Sequence, residues 1–102
     1  MALKNDAVLG ENPPKYPTIW VRPNSNVQGV GGALTASMLE DGHTVLRAIG
    51  AGAVNQAVKS AIQARQHLSA QGEDLVVRPG FVTVQGNDGN DVTAIVFHCV
   101  LL

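Results

Sequence analysis

Apolar positions along the chain switch between two periods, and the switches mark out the elements. The run Pro17 to Arg22 (PTIWVR) is β-rich and is stopped by Pro23, which predicts a first strand. Asn24, Ser25 and Asn26 follow as a polar turn whose side chains suit a helix N-cap. Val27, Val30, Leu34 and Met38, with Gly31 beside them, recur at helical spacing, so a first helix is expected over residues 26–40, ended by Asp41–Gly42. Gly29, Gly32, Ala33 and Ala36 line its other positions; glycine costs helix stability, so these predict the close approach of a neighbouring backbone. Thr44 to Ile49 (TVLRAI) is a second strand. After Gly50–Ala51–Gly52 comes an Ala-rich segment over residues 53–70, striped by Val54, Ala57, Val58, Ala61, Ile62 and Leu68, with Gly72 as its expected C-cap. Leu75 to Val84 predicts a third strand. Pro79–Gly80 within it requires a sheet edge or a bulge, because proline lacks the ladder donor. Gly86–Asn87–Asp88–Gly89 is a turn signal, and Val92 to Leu101 is the last strand. Residues 1–15, with Pro13–Pro14 and no sustained periodicity, are expected to be a flexible N-terminal tail to a domain over residues 16–102.

The order is βαβαββ, an α+β class. Right-handed β–helix–β connections put both helices on one face of a mixed four-stranded sheet. The other face would then leave residues such as Trp20, Val45, Val76 or Phe97 bare, which argues for a homodimer or a higher homo-oligomer. Composition adds to this. At 102 residues the chain is one domain with no room for a second, catalytic one. Charged residues make up 15%, against about 25% in ordinary domains, so part of the surface is neutral and inexpensive to cover. The formal net charge of −1 excludes a DNA coater that works by bulk basicity, and a nucleic-acid role has to rest on local clustering. The single cysteine, Cys99, forms no intramolecular disulfide and lies in an apolar run, as expected of a buried thiol in a reducing, cytoplasmic setting. Residues 1–10 lack a signal-peptide pattern, and no segment approaches the about 20 apolar residues of a membrane span.

The segment Arg47-Ala-Ile-Gly-Ala-Gly-Ala-Val-Asn-Gln-Ala-Val-Lys59 is long and compositionally unusual. It resembles the second strand, glycine loop and second helix of the stage V sporulation protein S family. Pro23-Asn-Ser-Asn-Val27 with Gly32-Ala-Leu34 is similar to that family's first turn and helix. Asp74–Leu75, Pro79 and Phe81 resemble its third strand, and Thr93-Ala-Ile95 its fourth. The resemblance covers about residues 18–100 and leaves out 1–15 and His98 to Leu102. It implies an Alba-like two-layer sandwich. It also implies a small cytoplasmic bacterial dimer, associated with late sporulation and with nucleic-acid binding or regulation, in a family that occurs in non-sporulating bacteria as well.

If the first two strands are parallel, their C-terminal ends and both helix N-termini share one end of the domain, where open α/β sheets bind ligands. Arg22, Asn24, Ser25 and Asn26 come from one loop and Gly50, Ala51, Gly52, Asn55 and Gln56 from the other, with Lys59 one turn further along and Arg47 on the incoming strand. Free helix N–H groups and positive dipole ends suit an anion, most simply phosphate. The duller alternative makes Arg22 and Arg47 solvated strand-edge charges and Gly50–Gly52 a tight turn. Glu40, Asp41, Glu73 and Asp74 fall at the opposite end, so a near-neutral chain still presents one cationic end. Alba-like proteins add the β3–β4 hairpin as arms along a duplex, but here it carries Asp88 and Asp91 and no Lys or Arg, which weakens that version.

Gly50-x-Gly52 lacks the third glycine and the later acid of a dinucleotide fingerprint. His43, His67 and His98 show no ligand spacing, no serine has an evident base, and the adjacent acids make no acid/base dyad. No enzyme activity, metal or cofactor is expected. Trp20 is core or interface, or else a platform for a base. The reading is a small dimeric protein that binds DNA or RNA, or regulates, through a phosphate-bearing partner at the helix N-termini, with no membrane role. The alternative is a self-assembling structural protein built from dimers, with no nucleic acid.

Overall fold

The structure, a computed structural model, describes residues 16–102. The tail expected over residues 1–15 lies outside the described residues. The elements are β1 (Thr18–Val21), α1 (Val27–Asp41), β2 (His43–Ala48), α2 (Ala51–Ser69), β3 (Leu75–Gln85) and β4 (Asp91–Leu101). This is the expected βαβαββ order.

Local chemistry sets most of the boundaries. Asn26 caps α1, its Oδ1 accepting from the Gly29 N–H at 2.8 Å. Gly42 ends the helix in the left-handed region (φ 74°), its N–H donating to the Met38 carbonyl, as the Asp41–Gly42 signal predicts. α2 departs from expectation at its start. It starts at Ala51, two residues early, because Gly50 serves as N-cap with φ 87°, a conformation open to glycine, and no side-chain cap marks the position. Its last residue is Ser69, and Gly72 closes it as expected: Gly72 is left-handed (φ 79°), its N–H donates to the Ser69 carbonyl and the Glu73 N–H to the Leu68 carbonyl, each at 3.0 Å.

The sheet runs β1-β2-β4-β3, with β1 parallel to β2 and the other pairs antiparallel. β3 is an edge strand, which resolves the Pro79 question in favour of the edge: Pro79 stands opposite Phe97 and Gly80 opposite Val96 in unbroken register.

Both helices lie against one face. Leu34 and Met38 of α1 and Ala53, Ala57, Ala61, Ala64 and Leu68 of α2 bury against Val21, Leu46, Ala48, Leu75, Phe97 and Cys99. Small residues on α2 let the helices approach closely. A Cβ on Gly31 would stand 2.8 Å from Gln63 Cγ and 3.3 Å from the Ser60 carbonyl oxygen, so the backbone contact expected of the α1 glycines falls on Gly31; Gly32 has nothing within 4 Å. Ser37 Oγ and Thr44 Oγ1, 2.6 Å apart, satisfy the polar group that β2 buries beneath α1.

The second face differs from expectation in two ways. Phe97 is not on it; paired with Leu46, it packs into the helix-side core. Nor is the face bare, because Val45, Arg47, Val84, Ala94 and Val96 are all buried. Part of the reason is the hairpin. β2 ends with Ala48 opposite Ile95, while β4 starts four residues earlier, so the distal hairpin runs on past β2. There Val82, Val84, Val92 and Ala94 gather with Trp20 and Ile49 into a second apolar cluster.

Candidate functional site

The expected pole exists as a place. β1 and β2 are parallel, so the loop after β1 and the loop after β2 leave the sheet at the same end, each leading into a helix. Two contacts join them. Gln56 Nε2, in the first turns of α2, donates to the Ser25 carbonyl at 2.8 Å. A Cβ on Gly52 would meet Pro23 Cβ at 3.2 Å, so the glycine lets the two loops touch.

The expected residues divide into three groups. Ser25 and Asn26 are used to build the loop: Ser25 Oγ accepts from the Arg22 N–H at 2.8 Å, and Asn26 is the α1 cap. Arg22, Asn24, Gly50, Gly52, Asn55 and Lys59 are exposed. Lys59 lies one turn beyond Asn55 on α2, eight residues from Ala51, or about 12 Å along the helix axis. Arg47 stands apart. It is 2% exposed, pairs with Trp20 across β1 and β2, and has its guanidinium carbon 5.6 Å from the centre of the Trp20 ring. It is neither a solvated strand-edge charge nor a side chain on the pole surface. It belongs to the second face of the sheet, where burial was not visible from β2 alone.

The pole's electrostatics follow from its helix starts. Neither helix has an acidic residue in its first turn, and α2 has no side-chain cap. The first internal bond of α2 runs from the Val54 N–H to the Gly50 carbonyl, so the amides of the exposed Ala51 and Gly52 precede it. Glu40 and Asp41 close α1, and Glu73 and Asp74 follow α2, so these four carboxylates sit at the far end. Asp74 is engaged there with Arg65 (Nε to Oδ1, 2.9 Å), which holds its carboxyl below the usual range. Asp88 and Asp91 lie on the hairpin, which extends past the pole. Asp88 accepts from the Asn90 N–H at 2.9 Å and from Asn90 Nδ2 at 3.1 Å, and these bonds also keep its carboxyl below the usual range.

Three groupings were not visible in the sequence. A pocket of about 220 Å³ opens beside the pole, lined by Trp20, Val21, Arg22, Pro23 and Ile49. His43 and His98, 55 residues apart, face each other from β2 and β4 with Nε2 and Nδ1 3.1 Å apart, and Tyr16 stacks on His43 at 3.6 Å. An apolar groove of about 370 Å³ runs between α2 and β3. All three join side chains from elements distant in sequence, so only register and crossover bring them together. Among the described residues no group of three or more His, Cys, Asp or Glu could hold a metal ion. Among them, too, no helix is long and apolar enough to cross a membrane.

A family model, Stage V sporulation protein S, matches residues 17–101.

Proposed function

The chain belongs to the stage V sporulation protein S family, and we propose that it is a non-enzymatic nucleic-acid-binding or regulatory protein that works as a dimer. In this reading the joined starts of α1 and α2 receive a phosphate of DNA or RNA. The observation that carries it is the N-terminus of α2, which no side chain caps, tied to the α1 loop by the Gln56–Ser25 bond, with Arg22 exposed on that loop and Lys59 exposed further along α2. Backbone N–H groups and the helix dipole favour an anion there, and cations close by add a salt-sensitive attraction. Arg47 is outside this reading, since a buried guanidinium offers a phosphate nothing. The test is binding of a labelled oligonucleotide to wild type and to the double variant R22Q/K59Q over a range of salt. Affinity should fall steeply with salt in wild type. The variant should bind more weakly, with a salt slope shallower by about two, because each cation removed leaves one phosphate un-neutralised. Absence of binding at low salt would remove the reading.

A second reading, self-assembly without nucleic acid, is favoured by the groove between α2 and β3. Val58 and Ile62 are exposed one helical turn apart on its α2 side, Leu75, Val77 and Phe97 form its floor, and β3 is an open sheet edge. A second copy would cover this strip and pair with the edge.

A further inference from the structure

We infer that the pole takes a single strand of nucleic acid, with one unstacked base held in the pocket beside Trp20. The inference rests on the phosphate reading above and names the form of the ligand.

The pocket and the pole share residues. Arg22 and Pro23 line the pocket and open the loop into α1, and Ile49 lines it one residue before Gly50, the N-cap of α2. A ligand seated in the pocket therefore lies against two helix starts and an exposed arginine. The lining is mostly apolar and includes an indole and a proline ring. At about 220 Å³ it is below the about 300 Å³ at which pockets for drug-sized ligands begin, so it suits one ring system. A flat, largely apolar ring joined to an anion is the chemistry of a nucleotide, and aromatic side chains take unstacked bases of any sequence. Among the described residues Trp20 Nε1 is buried with no hydrogen-bond partner.

The same surroundings disfavour a duplex. In a duplex the bases are stacked and paired, so none can enter the pocket without being flipped out. A duplex also brings a second phosphate backbone, and the hairpin extending past the pole meets it with Asp88 and Asp91 and no cation. A single strand needs only one backbone path and can stay clear of the hairpin.

Trp20 is the only tryptophan in the chain, so its fluorescence reports the pocket directly. The experiment titrates the full chain at low salt with a short oligothymidylate, an abasic strand of the same length and a duplex of equal phosphate count. Affinity is read from labelled strands and pocket occupancy from Trp20 emission. Oligothymidylate should quench Trp20 and bind about tenfold more tightly than the abasic strand, and more tightly than the duplex. Equal affinity for the base-bearing and abasic strands overturns the base pocket while leaving the phosphate reading standing, as does a preference for the duplex. No binding by any of the three removes both. Trp20→Leu should bind the abasic strand as wild type does and lose the preference for bases; a folded Trp20→Leu that keeps the preference puts the base elsewhere and overturns the assignment. Should that variant fail to fold, the three-ligand series on wild type still decides.

Discussion

Two residues show how much the second coordinate of a strand, its pairing partner, adds to its sequence. Cys99 alternates with His98 and Val100 in an apolar run, and that alone predicts a buried thiol; it is buried in the helix-side core. Arg47 alternates in the same way, sharing a face with His43 and Val45, but nothing in β2 reveals that this face is covered. Its burial depends on neighbours such as Trp20 and Val96, opposite it on β1 and β4, and those pairings are non-local. Burial pushes the Cys99 thiol up to about 12 from its ordinary 9.0. The unfolded chain therefore loses this proton from about pH 9 upward, while the folded chain holds it until about pH 12. The contribution is complete below pH 9 and disappears as pH climbs to the folded value. Denaturation midpoints measured across that window should decline less steeply in Cys99→Ala than in wild type; parallel slopes would show that the thiol is not shielded as placed.

Elements were legible where their signals are local. The helical stripes, the Asn26 cap and the Gly42 stop all lie within one turn of what they control, and α1 matches its expected span to within a residue at each end. The start of α2 was not legible because Gly50 caps it through backbone geometry alone, without a side-chain signature. The glycines of α1 were legible as a class but not individually: which one faces α2 depends on how the helices cross. That distinction gives a paired prediction. At Gly31 an added methyl meets Gln63 and the Ser60 carbonyl, so Gly31→Ala should lose a net of about 0.5–2 kcal/mol after its gain in helix propensity. At Gly32 there is open space, and Gly32→Ala should gain about 0.5–1 kcal/mol. Chemical denaturation of the two variants measures both signs, and equal stabilities would contradict the packing of α1 on α2.

For the molecule as a whole, the sequence carried the architecture and half of the candidate site. The parallel β1–β2 pair follows from a helix joining two strands, and with it the convergence of Arg22, Asn24 and Gly50 to Asn55 at one end. The pocket beside Trp20 and the groove between α2 and β3 did not follow, because the first needs the register that brings Ile49 beside the end of β1 and the second the docking of α2 along the edge strand β3. The groove sets the expected assembly. If a second copy covers it, wild type should run at twice 10.7 kDa by size exclusion with light scattering. Ile62→Lys, which puts a charge on a side chain now 53% exposed, should then shift the population to the single-chain mass while the chain stays folded by circular dichroism. An unchanged dimer would move the interface elsewhere, and a wild type already at the single-chain mass would remove it.

In the proposed function, phosphate arrives at one pole of the fold. The most direct measurement is an amide chemical-shift titration of the full chain with oligothymidylate at low salt, residue by residue. The predicted result is a set of saturating shifts at Ala51 and Gly52, in the loop from Asn24 to Asn26 and at the Trp20 indole, with Glu40, Asp41, Glu73 and Asp74 at the far end unmoved. Shifts confined to the groove of Val58 and Ile62, or spread over the far end while the starts of α1 and α2 stay silent, would contradict it.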